Sequence, residues 1–323
     1  MAEHSKIEWT DTSWTPIRAR NKATGKIGWH CTKPSTGCAN CYAESMNKWR
    51  GTGLPFAKSS TEQVEVFLDD KVLRKPLAWR KPRMVFACSM TDLFGEFVTN
   101  EMIDQVFAVM ALCPQHTFQV LTKRPERMAE YLIGDRGAFK FEFDHTTSRD
   151  WWDMAVQEIV TPERSPAREQ QELILCSPRH MGYPHLPNVW LGTSCENQQT
   201  AVERIPHLLR CPAAVRFVSR EPMISEVNYD EIDLDGIDWF IWGGESGPSA
   251  RPNDADWIRR ELVATERYAS AFVKQLGSRC VAWGHEVKFA DKGGNMGHWP
   301  GDLRVREWPT STATAPIAGT GSA

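Results

Sequence analysis

The chain has 323 residues, 41% hydrophobic and 24% charged, with a formal net charge of −3. That length buries a sizeable core, in one large domain or two ordinary ones. The charge excludes a protein coated in basic groups, while 38 Lys and Arg leave room for a local basic groove.

No apolar run approaches the roughly 18 residues of a membrane span, and the opening MAEHSKIEW lacks the apolar core of a signal peptide. A cytoplasmic protein without membrane contact is expected. Nine cysteines, an odd number with six scattered singly, make a poor disulfide framework and read as thiols and ligands.

A first strand is expected near SWTPIRA, residues 13 to 19. A loop follows, CTKPSTGCANCYAES at 31 to 45, with its cysteines spaced C-x6-C-x2-C. A rhythm then sets in. Short apolar runs at 84 to 88, 118 to 121, 189 to 191, 215 to 218, 239 to 242 and 271 to 273 each end in polar residues. Continuous runs rich in β-branched and aromatic residues read as strands buried on both faces. Helices are expected at 99 to 113, at 197 to 211, where Pro206 interrupts, and at 254 to 269.

Strand and helix in alternation predict an α/β fold, a partial or complete (β/α) barrel of about seven parallel strands. An open doubly wound sheet is the alternative. One domain is expected over 1 to 309, with a helical insertion at about 134 to 185, and the low-complexity stretch 310 to 323 reads as a disordered tail. Fourteen tryptophans, among them Trp9, Trp14, Trp29, Trp299 and Trp308, read as packing at loop bases, with base or sugar stacking as the sharper alternative.

Cys31, Cys38 and Cys41 sit in a loop with Pro34, Gly37 and Asn40, which can turn several thiolates inward. Unrelated buried cysteines are the plain reading. Zinc is the second, with His30, Cys88 or Cys195 as the missing ligand, since a structural zinc site closes with four. A 4Fe-4S cluster with three protein ligands is the third, and it keeps one iron open for chemistry.

A family resemblance bears on this choice. IEWTDTSWTPI, CTKPSTGCANCYAE, SMTDLF, LTKRPERM, LGTSCEN, RFVSREPM, GGESGPSARP, FVKQLG and WPGDLRVREWP together resemble a phage-associated three-Cys-motif family of unknown function, labelled phage Gp thirty-seven/Gp sixty-eight. The resemblance covers residues 7 to 133 and 186 to 309. A three-cysteine loop after the first strand of a barrel also resembles the radical S-adenosylmethionine (SAM) superfamily and, distantly, spore photoproduct lyase. The first cysteine gap is three residues longer than that superfamily's usual C-x3-C-x2-C.

The resemblance implies a 4Fe-4S cluster on Cys31, Cys38 and Cys41 that cleaves SAM reductively. It also implies a reductant such as flavodoxin or ferredoxin and a three-Cys-motif partner protein. Polar groups at the strand ends are then expected to hold SAM: Ser89, Asp92, Lys123, Ser194, Glu196, Glu221 and Glu245. Arg124, Arg251 and Lys274 are expected to meet a nucleic acid or nucleotide substrate, and Arg220 to join them at the mouth. The plainer alternatives are helix capping by Asp92 and Glu196, ion pairs for the arginines and a tight turn for Gly243, Gly244 and Glu245. A zinc-stabilised nucleic-acid-binding protein without catalysis is the rival from another class, and an electron-transfer cluster closed by Cys88 or Cys195 is the third.

Overall fold

The computed structural model describes residues 5–133 and 186–309, apart from 283 and 290, together with Ala155, Val156, Ile159, Ala167 and Gln170. The expected tail at 310–323 and nearly all of the expected insertion at 134–185 lie outside the described residues.

The chain opens with β1 (Thr12–Trp14), β2 (Ile17–Asn21) and β3 (Ile27–Gly28), then α1 (Tyr42–Arg50), β4 (Val64–Leu68) and α2 (Asp70–Leu73). Next come β5 (Met84–Ala87), α3 (Asn100–Ala111), β6 (Thr117–Thr122) and α4 (Pro125–Ile133). Beyond residue 185 follow β7 (Val189–Ser194), α5 (Gln198–Arg210), β8 (Val215–Arg220) and β9 (Trp239–Gly243). The last elements are β10 (Asn253–Asp254), α6 (Ala255–Thr265), β11 (Ser270–Gln275), β12 (Arg279–Ala282) and β13 (His285–Lys288).

Seven strands form one all-parallel sheet in the order β1-β5-β6-β7-β8-β9-β11, curled into a half barrel. The expected partial barrel of seven parallel strands is therefore the fold. One face carries the helices: Phe107 and Met110 of α3, Met128 of α4, Ile205 and Leu208 of α5 and Ile258 of α6 pack with outward strand residues such as Val120, Leu191, Val218 and Trp242. Among the described residues, no helix packs on the other face. Phe86, Trp190, Val215, Phe217, Trp239, Ile241 and Phe272 fill it with Trp9, whose ring lies 4.7 Å from Phe86 and 6.3 Å from Trp239.

Side chains alternate along a strand with period two. On β8, Val215 and Phe217 belong to the aromatic layer; Ser219 follows on the same face, and Glu221, just past the strand end, lines the same cavity. The same climb runs from Trp190 to Ser194 on β7 and from Phe272 to Lys274 on β11. The inner face is thus apolar at its base and polar at the C-terminal strand ends.

The expected first strand at 13 to 19 is two strands. β1 pairs with β5 in the main sheet, while β2 leaves it to pair antiparallel with β3 and β4. Pro16 stands between them; it lacks an N–H and fixes its φ, so the ladder cannot run through. The small β3-β2-β4 sheet carries the cysteine loop and α1. Buried Asn47 of α1 accepts from Trp29 N at 2.9 Å and donates to Thr52 Oγ1 at 2.8 Å, locking helix to sheet.

Thr99 caps α3, accepting from Met102 N. α5 runs through Pro206 instead of being interrupted there: the proline sits on the exposed side, and Asn197 with Thr200 forms a capping box at the start. α6 ends at Thr265, short of the expected 269. Residues 299–309 cover the β11 edge, with Val273 N donating to Val305 O at 2.8 Å. Trp9, Trp14 and Trp299 are buried, which is the packing reading, whereas Trp308 is exposed. Among the described residues no helix is long and apolar enough to cross a membrane.

Candidate functional site

A cavity of about 520 Å³ opens at the C-terminal strand ends, within the range of about 300–1,000 Å³ usual for small-molecule sites. The cysteine loop forms one wall, with Cys31, Cys38 and Cys41 all facing the cavity. Trp9, Phe86 and Leu121 form the apolar floor, and Lys123, Ser194, Ser219, Glu221, Glu245 and Lys274 supply polar groups.

Three strand-end groups grip the loop between its cysteines. Arg124 donates to Asp92 Oδ2 at 2.8 Å and to Glu96 Oε1 at 3.1 Å, and its Nη2 reaches both oxygens of Thr32, next to Cys31. Glu196, fully buried, accepts from Ser35 Oγ at 2.7 Å, from Arg204 Nη1 at 3.0 Å and from Lys123 Nζ. Gly37 is needed here, because a Cβ would run into the Glu196 carboxylate. Glu245 accepts from Asn40 Nδ2 at 2.9 Å and from Arg251 Nη2 at 2.7 Å, and Arg251 Nη1 donates onward to Thr36 O at 3.0 Å. The loop is therefore fixed at residues 32, 35, 36 and 40 by side chains far away in sequence.

The electrostatics follow from this packing. Burial works against ionisation of Glu196, yet the charges of Lys123 and Arg204, with hydrogen bonds from Lys123 and Ser35, bring its carboxyl down to about 2. Glu245 is likewise held low: burial opposes, and the Arg251 and Asn40 hydrogen bonds prevail. Burial pushes the Cys31 thiol up, with Asp92 adding to it, Arg124 opposing and Cys41 and Cys38 contributing. Burial raises Cys41 as well, while backbone amides of Glu44 and Ala43 at the start of α1 pull it back.

Three thiols with no imidazole or carboxylate among them form a soft donor set. It suits an iron–sulfur cluster or zinc rather than magnesium or calcium. Among the described residues no three His, Cys, Asp or Glu side chains are gathered so as to hold a metal ion. The thiols share the cavity without closing on one centre. In donor chemistry the three thiols suit a cluster bound by three cysteines, and protons must leave the raised thiols as it binds.

His30 is no ligand here: its Nε2 lies 3.1 Å from Thr61 Oγ1, its ring packs edge-on against Phe97, and burial followed by Arg124 lowers it to about 4. Of the other two expected ligands, Cys88 is in the cavity wall, with a left-handed φ of 57°, and Cys195 is buried outside it.

Of the expected site residues, Glu196 and Arg251 are not in the wall; they hold the loop from behind it. Neither Asp92 nor Glu196 caps a helix, since both carboxylates are taken by cations. Arg220 does not join the mouth. It follows Ser219 on the strand and so points to the helix-covered face, where it pairs with Glu261 of α6. Gly244 lines the cavity and makes room for the backbone of Leu276 and Gly277. Ser89 lines the cavity, and its carbonyl accepts from Tyr42 Oη at 2.6 Å.

Sequence reasoning missed Asn40, Tyr42 and the floor residue Trp9. It also missed what Ser219 and Trp9 share. Both are buried in the cavity wall, and among the described residues Ser219 Oγ and Trp9 Nε1 have no hydrogen-bond partner. An unpaired buried polar group costs about 1–3 kcal/mol, a cost that a bound polar ligand removes.

A family model described as "Protein of unknown function (DUF5131)" matches residues 4–298, so the chain belongs to that family. No curated protein and no solved structure matches the chain.

Proposed function

We propose that this DUF5131 protein is a radical SAM enzyme acting on a nucleic acid or nucleotide, with a 4Fe-4S cluster on Cys31, Cys38 and Cys41. One observation carries the reading: three thiols line the same cavity as the unpaired Ser219 Oγ and Trp9 Nε1, at the C-terminal ends of a parallel half barrel. Such strand ends are where barrel enzymes bind and transform ligands.

When bound, a cluster with three protein ligands supplies an open iron for SAM and the electron for its reductive cleavage. The chain's own groups do the rest. Lys123 and Lys274 offer cations to a carboxylate, Ser194 and Ser219 offer hydroxyls to ribose, and Glu221 accepts from an amino group. Glu245 and Asp92 serve indirectly, by holding Arg251 and Arg124 against the cysteine loop. The aromatic floor keeps water from below. Flavodoxin or ferredoxin is the expected reductant, and a three-Cys-motif protein the expected protein partner.

The test is anaerobic reconstitution with iron and sulfide. The reading expects a brown protein with acid-labile sulfide, lost in Cys38→Ala and kept in Cys88→Ala. A colourless protein with one equivalent of zinc, unfolding on chelation, overturns it in favour of a zinc-stabilised binding module.

A further inference from the structure

The helix that leaves the cysteine loop presents an exposed apolar stripe. On α1, Tyr42, Met46 and Trp49 are 51%, 42% and 87% exposed. Their spacing of four and then three residues puts them on one side of the helix. Tyr42 and Met46 line the cavity rim, so the stripe runs from the cavity outward to Trp49.

The surroundings are basic. Residues 17 to 68 hold eight Lys and Arg against three Glu, in a chain whose net charge is −3. Lys48 and Arg50 flank Trp49, and Lys26 immediately precedes β3, whose Gly28 packs against Asn47 and Gly51 at the end of α1. The one acid on α1, Glu44, is turned inward to Phe56 N at 3.1 Å and is met by Lys33 at 2.7 Å and Lys48 at 3.7 Å.

We infer that this face docks single-stranded nucleic acid, with a base stacked on Trp49, phosphates on Lys48, Arg50 and Lys26, and the strand led past Tyr42 to the cavity. Aromatic platforms interleaved with cations bind single strands, because every base offers a π-face and every phosphate a charge. A protein-binding hot spot instead sits in a patch whose centre is depleted of charge. This inference rests on the proposed reading only in letting the strand end at the cysteine cavity.

The experiment is fluorescence anisotropy of labelled oligonucleotides of mixed sequence, single-stranded DNA and RNA in separate arms and duplex as a third. The protein is used as purified, without SAM or reductant. Trp49→Ala is expected to weaken single-strand binding about 10- to 100-fold, with an unchanged circular dichroism spectrum, while Trp49→Phe keeps most of it. Lys48→Gln with Arg50→Gln is expected to make the log–log salt slope shallower by about 1.4. The tighter arm identifies DNA or RNA. No binding at low salt, equal duplex binding, or an affinity indifferent to Trp49→Ala overturns the inference. So does loss of a protein partner, rather than of a strand, in Trp49→Ala. Cluster failure with intact strand binding removes only the proposed chemistry, and the reverse removes only this surface.

Discussion

Two ion pairs begin on neighbouring residues at the end of β8 and end in different roles. Arg220 points to the helix-covered face, where its Nε and Nη2 each donate to Glu261 at 2.8 Å. Glu261 also accepts from Val227 N at 2.9 Å and from Tyr229 Oη and Trp242 Nε1 at 3.0 Å. Both side chains are fully buried, and Arg220 donates further to the carbonyls of Cys195 and Ser225. One residue on, Glu221 points to the cavity and meets Lys274, with both side chains partly open to solvent. Beside them Ser219 Oγ goes unpaired. A saturated buried network specifies structure, whereas a half-used one in a cavity leaves valence for a ligand.

The largest effect should come from breaking the saturated side. Glu261→Ala strands a buried guanidinium and is expected to cost about 3–5 kcal/mol, measured by urea unfolding at neutral pH.

Glu196 is next. Its folded carboxyl, at about 2, lies below the ordinary 4.5. Its contribution is therefore complete above about pH 4.5 and lost as pH falls towards 2, and it is worth roughly 3 kcal/mol at neutral pH. Glu196→Gln should lower neutral stability and flatten that acid limb; a limb unchanged in the variant would contradict the assignment.

The open side should respond less in stability and more in binding. Replacing Glu221 and Lys274 together, by Gln and Met, is expected to cost at most about 1 kcal/mol, as for partly exposed pairs, yet to weaken SAM binding by calorimetry. Ser219→Ala should be neutral or slightly stabilising, because it removes an unpaired buried hydroxyl. A clear destabilisation would mean that Ser219 serves the fold and not a ligand.

Much of this arrangement was legible in the sequence, for definite reasons. Runs such as Trp239 to Trp242 are apolar on both faces, so they announce buried parallel strands. The polar residues after each run announce the mouth. Arg220 was misread because a strand end has two faces, and only the alternation from Phe217 to Ser219 to Glu221 says which residue looks in. The break at Pro16 was readable from its missing N–H. The ties from Ser35 to Glu196 and from Asn40 to Glu245 were not, since they join residues 161 and 205 positions apart. Trp49 was lost among fourteen tryptophans, because sequence does not tell an exposed ring from a buried one.

The central claim is that three cysteines leave one metal position open to a small molecule. Electron paramagnetic resonance of the reduced, reconstituted protein with and without SAM tests it most directly. The account predicts a 4Fe-4S signal whose g-values shift when SAM is added, and no such signal in Cys38→Ala, which holds no intact cluster. A cluster signal indifferent to SAM, or one lost on replacing Cys88 or Cys195, would contradict it.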